Sequence, residues 1–208
     1  MTGVLADVVS SIVADHQSRS RSIVAVVGPP ATGKSTIAGA LQKAINATTP
    51  LDAKVVPMDG FHLDNTQLDL LGLRERKGAP ETFDFDGFDA LLRRIKSAKT
   101  PTFYPVFDRS LDRAIAGAGV LSPETDIVIV EGNYLLLDEA PWRDLQELFD
   151  YSIYLETPFA TLEERLIQRW INYDHSEDAA KERAHSNDIP NAHRIVQNTL
   201  PATTTLRL

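Results

Sequence analysis

Residues 28–36 read GPPATGKST, and the rest of the chain is interpreted outward from them. The stretch fits the pattern Gly-x4-Gly-Lys-[Ser/Thr], in which each fixed letter has a mechanical task. Gly28 and Gly33 admit backbone angles closed to other residues, so that the loop through Pro29, Pro30, Ala31 and Thr32 can turn its amide groups around a phosphate. Lys34 supplies a point charge between two phosphates. Ser35 offers a small hydroxyl to a hard cation such as Mg²⁺, which prefers oxygen ligands. Thr36 continues into a helix whose unsatisfied amides and positive dipole end point at the same anion.

The flanks agree with this reading. Ser22–Val27 (SIVAVV) is a short β-branched run suited to a strand buried on both faces, and Ile37, Leu41, Ala44 and Ile45 then recur at helical spacing. A strand, a phosphate-binding loop and a helix in that order predict nucleotide binding. Guanine is not the expected base, because no Asn-Lys-x-Asp stretch occurs.

Composition narrows the classes further. The chain has 208 residues, enough for one domain with a substantial core, and no cysteine, which rules out disulfides and thiolate metal sites. Its 29 acidic and 21 basic residues leave a net charge of −8, with no run of Lys or Arg longer than two. Nucleic acid and anionic membranes are therefore not expected partners. Residues 4–13 (VLADVVSSIV) are apolar, but Asp7 interrupts them and Val4, Leu5, Val8, Val9, Ile12 and Val13 share one helical face. An amphipathic helix in a cytoplasmic protein is expected, and assembly as a homodimer is compatible with the sequence.

Farther along, Lys54–Met58 reads as a strand ending at Asp59, residues 64–71 as a short helix stopped by Gly72, and RERKGAPE (74–81) as a charged loop. Phe85, Phe88, Leu91, Leu92 and Ile95 form a helical stripe, with Asp84 and Asp86 as candidate caps. Thr102–Phe107 and Ala114–Leu121 flank turn residues and suggest a β-hairpin. Asp126–Val130 is another doubly buried strand, closed by Glu131. Pro141 should start a short helix, Tyr151–Leu155 a strand, and Thr157-Pro158 a capped helix buried through Phe159, Leu162, Leu166 and Trp170. Residues 174–187 are polar and are expected to pack loosely. Pro190 opens a last helix, and TTTLRL is a terminal strand. Strands alternating with helices predict a three-layer α/β/α fold on a mainly parallel sheet, with the ligand site at the carboxyl ends of the strands.

That geometry would bring three sets of side chains to the phosphates. Asp59, in the context MDGFHLDN, is placed to accept a proton from an attacking hydroxyl. Glu131 would face a Mg²⁺ ion or its water. Arg165 and Arg169, one helical turn apart, would either bring positive charge to the transferring group or pair with Glu163 and Glu164 on the surface. His62 would bind an acceptor or serve structurally. Lys77, Asp84, Tyr104, Asp108 and Arg109 fall in loops expected above the active edge, and they are candidates for holding an acceptor.

Taken together, GPPATGKST, MDGFHLDN, RKGAPETFD, FYPVFDR and IVIVEGNYLLLD resemble, in order and spacing, the phosphoribulokinase and uridine kinase family of P-loop kinases. The resemblance spans almost the whole chain and implies ATP, Mg²⁺, a base at Asp59, a metal-side carboxylate at Glu131 and a mobile helical lid, about residues 174–190, with arginines near Arg165 and Arg169. RKGAPETFD is more similar to bacterial pantothenate kinases than to uridine kinases, and overall the chain resembles small bacterial kinases of the fructose-transport type. The expected reaction is transfer of the ATP γ-phosphoryl group to a hydroxyl of a small molecule, a sugar such as fructose first, then a nucleoside or a pantothenate-like alcohol. The rival reading is a regulatory ATPase with no acceptor.

Overall fold

The structure is a computed structural model and describes residues 2–17 and 19–208. In chain order its elements are α1 (Thr2–His16), β1 (Ser22–Val27), α2 (Lys34–Thr48), β2 (Ala53–Pro57), α3 (Asn65–Leu70), α4 (Phe85–Ser97), β3 (Thr102–Asp108), β4 (Arg113–Leu121), β5 (Ile127–Gly132), β6 (Tyr151–Glu156), α5 (Phe159–Ile171), α6 (Glu177–Arg183), α7 (Ile189–Gln197) and β7 (Thr204–Arg207). One sheet has the order β2-β5-β1-β6-β7, and its pairings are all parallel. β3 and β4 form a separate antiparallel hairpin.

The layers follow from the two-residue alternation of strand side chains. In β1, Ile23, Ala25 and Val27 face a cluster containing Phe88 and Leu92 of α4, Trp142 and Ile195. Val24 and Val26 face the opposite cluster, which holds Val8, Val9 and Ile12 of α1 and Ile37 and Leu41 of α2. β5 divides the same way, Val128 and Val130 to one side and Ile127 and Ile129 to the other. The expected three-layer α/β/α arrangement on a mainly parallel sheet is therefore the one observed.

The hairpin is anchored where it matters for the site. The Tyr104 hydroxyl donates to the Val55 carbonyl of edge strand β2 at 3.1 Å. Gly60, just beyond β2, lies so close to the hairpin that a Cβ there would sit 2.1 Å from the Pro105 carbonyl oxygen. The turn after β2 and the hairpin are thus pressed backbone to backbone.

Several local expectations are corrected. Met58 leaves the β2 ladder and begins a 3₁₀ turn through Phe61, which swings Asp59 over the sheet's carboxyl edge. The segment after Pro141 is a 3₁₀ helix, Trp142–Leu148. The charged loop at 74–81 contains two single 3₁₀ turns. On the apolar face of α1, Val8, Val9 and Ile12 are buried while Val4 is exposed. Thr157 does not cap α5, since Pro158 occupies the cap position, and among the described residues the buried Thr157 hydroxyl has no hydrogen-bond partner.

The largest correction concerns residues 174–187. They form α6 and a π-helical turn, Ala184–Asp188, running directly into α7. Ala180, Ala184 and Asn187 are buried, and Ala184 joins Leu166, Ile189 and Ala192 in a small core of its own. Alanine and asparagine let neighbouring backbones approach closely, so the segment packs without the large apolar residues whose absence suggested looseness.

Candidate active site

The 28–36 loop turns between β1 and α2 at the carboxyl edge of the sheet. Gly33 takes φ 88°, ψ 24° at the helix N-cap position and offers no side-chain cap, so the first amides of α2 stay available to an external acceptor. Ala31 also adopts a positive φ, 67°, which a residue with a Cβ enters only at some cost. Its carbonyl accepts a hydrogen bond from Arg165 at 3.2 Å. The Lys34 ammonium is buried and donates to the Pro29 carbonyl at 2.8 Å. Burial pushes its pKa down to about 8, although Glu131 and Asp59 pull the other way.

Two carboxylates meet this loop from adjacent strands. β2 pairs with β5 in a register that sets Pro57 beside Glu131, so Asp59 and Glu131 rise from neighbouring strand ends. Glu131 is buried and accepts a hydrogen bond from the Ser35 hydroxyl at 3.0 Å. Burial moves its pKa above the usual carboxylate range, opposed by the Lys34 charge. Asp59 is more open and is held by the Arg109 guanidinium at 3.2 Å, reaching across from the hairpin.

A cavity of about 360 Å³ is lined by the loop together with Asp59, Arg109, Asn133 and Arg169. A second cavity of about 380 Å³ lies beside it, and Pro30, Arg109, Asn133 and Arg169 line both. His62 and Lys77 line the second cavity. The His62 ring packs on Phe83 and Phe107, with centroids at 4.1 and 4.8 Å, and its Nδ1 lies 2.8 Å from the Asp59 carbonyl. Burial lowers the His62 pKa more strongly than Asp59 raises it. His62 is thus a packing residue that also presents an edge to the cavity. Lys77 donates to Asn65 at 2.7 Å and pairs with Asp112 at 2.8 Å.

Three of the acceptor candidates line neither cavity, and neither do Glu131 and Arg165. Asp84 caps α4, accepting from the Gly87 amide at 3.0 Å. Tyr104 is buried as the hairpin anchor. Asp108 organises the hairpin turn, accepting from the Ser110 amide and hydroxyl and from the Leu111 amide. Arg165 and Arg169 do not pair with Glu163 or Glu164: among the described residues neither arginine has a carboxylate within 4 Å, and Glu163 pairs with His185 instead.

Asn133, Trp170 and Arg183 also line the second cavity, though none of them stands out in the sequence as a site residue. Asn133 follows Glu131 by two residues past the end of β5, a position that itself marks the active edge. Arg183 was hidden in the polar stretch. The helical spacing of Ala180, Ala184, Asn187 and Asn191 was the available sign that this stretch packs and so aims its other side chains.

A glycine-rich loop leading from a central parallel strand into a helix, with carboxylates on two adjacent strand ends, defines a P-loop nucleotide-binding site. The model of the phosphoribulokinase and uridine kinase family matches residues 23–203, and the chain belongs to that family. A solved structure from Silicibacter sp. TM1040, provisionally described as a fructose transport system kinase, is 48% identical with a TM-score of 0.93, covering 97% of this chain and 98% of that one. The uncharacterised protein YggC of Escherichia coli K12 is 37% identical over 88% of this chain and 76% of its own length. Pantothenate kinase of Enterococcus faecalis is 33% identical over 71% of this chain but 49% of its own length. The family is one of phosphotransferases acting on small molecules, with ATP and Mg²⁺ in general use. Among the described residues, no helix is long and apolar enough to cross a membrane.

Proposed function

We propose that this chain transfers the γ-phosphoryl group of ATP to a hydroxyl of a small metabolite held in the second cavity, with Asp59 as the proton acceptor. The observation that carries the reading is the pair of cavities joined by Arg109, Asn133 and Arg169. A regulatory ATPase has no use for a second cavity opening onto the phosphate loop. Asp59 lines the loop cavity beside that shared wall, so a hydroxyl in the second cavity can approach both the carboxylate and the phosphorus.

Phosphoryl transfer needs positioning and charge neutralisation more than covalent chemistry. Lys34 and the amides of α2 bind the phosphates, while Arg169, and Arg165 through its hold on Ala31, bring positive charge to the outer face. Ser35 and Glu131 fit Mg²⁺: both are oxygen donors already in contact, and burial holds the carboxylate above its usual range despite the nearby charges of Lys34 and Arg109. Bound there, Mg²⁺ would neutralise charge on the β- and γ-phosphates.

The acceptor is tested by thermal shift, with sugars, nucleosides and pantothenate-like alcohols screened beside a non-hydrolysable ATP analogue. A ligand of the folded state raises stability by RT ln(1 + [L]/Kd). A stabilising hit that requires the analogue supports a two-substrate site, and uniform absence of hits argues for the ATPase.

The depressed Lys34 pKa gives a titration test. In the empty protein the amine is half-protonated near pH 8, whereas unfolded it titrates at 10.5. Burying the ammonium therefore costs stability below about pH 8, roughly 3 kcal/mol, and that cost fades as pH rises from 8 to 10.5. Phosphates restore the charge, so ATP binding near pH 8 should take up about half a proton, falling away toward pH 7. Calorimetry in two buffers of different ionisation heat reads this uptake, and buffer-independent heats would contradict it.

The lid is the second expectation. Residues 174–187 are tied to the 74–81 loop by hydrogen bonds from Arg183 to the Glu75 carbonyl at 3.1 Å and from Asn187 to the Lys77 carbonyl at 2.9 Å. Closure over ATP and acceptor together should raise amide protection from exchange across 174–187 by at least tenfold. Equal exchange in the empty and doubly liganded protein would remove the lid.

A further inference from the structure

The second cavity is basic, on a chain that is acidic as a whole. Arg74, Lys77, Arg109, Arg169 and Arg183 line it, five of the chain's 21 Lys and Arg residues among 16 lining positions. Two carboxylates also line it, and both are engaged. Asp188 accepts from the Trp170 indole at 2.6 Å, and Asp112 pairs with Lys77. His62 adds no charge near neutral pH, because burial holds it below its usual range. A concave site with this excess of one sign concentrates ligands of the other.

The cations divide by position. Arg109 and Arg169 belong to the wall shared with the phosphate loop, where the phosphoryl group passes. Arg74, Lys77 and Arg183 line only the second cavity and not the loop cavity. Arg183 is held in place with only a loose, solvent-exposed ion pair. Its guanidinium lies 5.1 Å from the Trp170 ring, donates to the Glu75 carbonyl, and has as its nearest carboxylate the almost fully exposed Glu75 at 3.7 Å. Arg74 is paired with Asp69, but both side chains are about half exposed, so that pair is weak and is readily exchanged for a ligand. The backbone bond from Arg183 to Glu75 sets it next to Arg74. Phosphoryl transfer from ATP requires nothing of these two arginines.

We propose that the acceptor is itself an anion, a hydroxyl compound bearing a carboxylate or a phosphate, with that group gripped by Arg183 and Arg74 while its hydroxyl faces Asp59. The assignment rests on the kinase reading above and narrows it. A neutral sugar or nucleoside leaves the two guanidinium groups with only their exposed carboxylate neighbours, Asp69 and Glu75, whereas a carboxylate or phosphate forms charge-assisted pairs with the arginine forks. Because Arg183 comes from α6 and Arg74 from the 74–81 loop, the anion also ties the lid segment to the body of the protein.

The test is ADP release in a panel of matched acceptors differing in charge: fructose against fructose 6-phosphate, glucose against gluconate, and pantothenol against pantothenate. The expected result is that only anionic members support turnover, or exceed their neutral partner in kcat/KM by on the order of 10- to 100-fold, with the phosphate and carboxylate arms deciding which group is used. Arg183→Gln should then raise the KM of that acceptor by about 10- to 100-fold with kcat and the ATP KM changed far less, and Arg183→Lys should recover part of the loss. Turnover of neutral members equal to or better than their anionic partners, or an unchanged acceptor KM in Arg183→Gln, overturns the assignment and leaves the kinase reading standing. No acceptor-dependent ADP release from any member removes the kinase reading, and the assignment with it.

Discussion

Lys34→Ala is expected to weaken ATP binding by about 10- to 100-fold and to lower turnover by a further ~10² to 10³-fold, with the fold intact. The ammonium is the one cation buried inside the phosphate loop. Its charge is disfavoured in the empty protein, as its lowered pKa records, and is repaid only when phosphates arrive. The substitution should therefore leave the melting temperature of the ligand-free protein near that of the parent, or above it, while abolishing most of the stabilisation that ATP confers. Thermal melts with and without nucleotide, beside steady-state rates, separate these effects. A variant that melts far lower without ligand, or binds and turns over ATP like the parent, would contradict the role given to Lys34.

Asp59→Asn is expected to cost ~10² to 10⁴-fold in kcat with ATP affinity nearly unchanged. An alcohol is too weak an acid to ionise unaided at neutral pH, so a transferase needs a carboxylate within reach of the attacking oxygen, and a nucleotide switch does not. Asparagine keeps the size and deletes the proton acceptor. The substitution also breaks the pair with Arg109, but that arginine is largely exposed and the pair adds little to stability. Calorimetric ATP titration beside rate measurement distinguishes a lost base from a lost fold.

The parts of this site that were legible in the sequence are those whose chemistry is local. GPPATGKST needs no neighbour to be recognised, because glycine angles, the lysine charge and the helix start are all specified within nine residues. Asp59 and Glu131 were legible because each ends an apolar run, and a parallel sheet delivers such ends to one edge. Their adjacency was not legible, since it depends on β2 pairing with β5 across some 70 residues of chain. Asp84, Tyr104 and Asp108 show the opposite case. Each is a polar residue near the right edge, yet tertiary context engages it as a helix cap, a hairpin anchor and a turn bracket. Residues 174–187 misled for a further reason: their buried face is built of Ala180, Ala184 and Asn187, which a search for large apolar side chains does not register.

The same contrast explains why Arg183 surfaced only with the structure. A lone arginine in a polar stretch looks solvated. Packing of α6 through its small residues turns that arginine over Trp170 and into the second cavity. The hairpin acts likewise, its close contact at Gly60 bringing Arg109 to Asp59 and Phe107 to His62.

The central claim is that the γ-phosphoryl group leaves ATP for an acceptor hydroxyl rather than for water. It is tested most directly by supplying ATP labelled in the γ-phosphoryl group, together with the acceptor panel, and locating the label by mass spectrometry and ³¹P NMR. Label is expected in a phosphate ester of the acceptor, formed by the parent protein and reduced by at least ~10²-fold in Asp59→Asn. Label recovered solely as inorganic phosphate, at a rate indifferent to every acceptor and to Asp59→Asn, would contradict it.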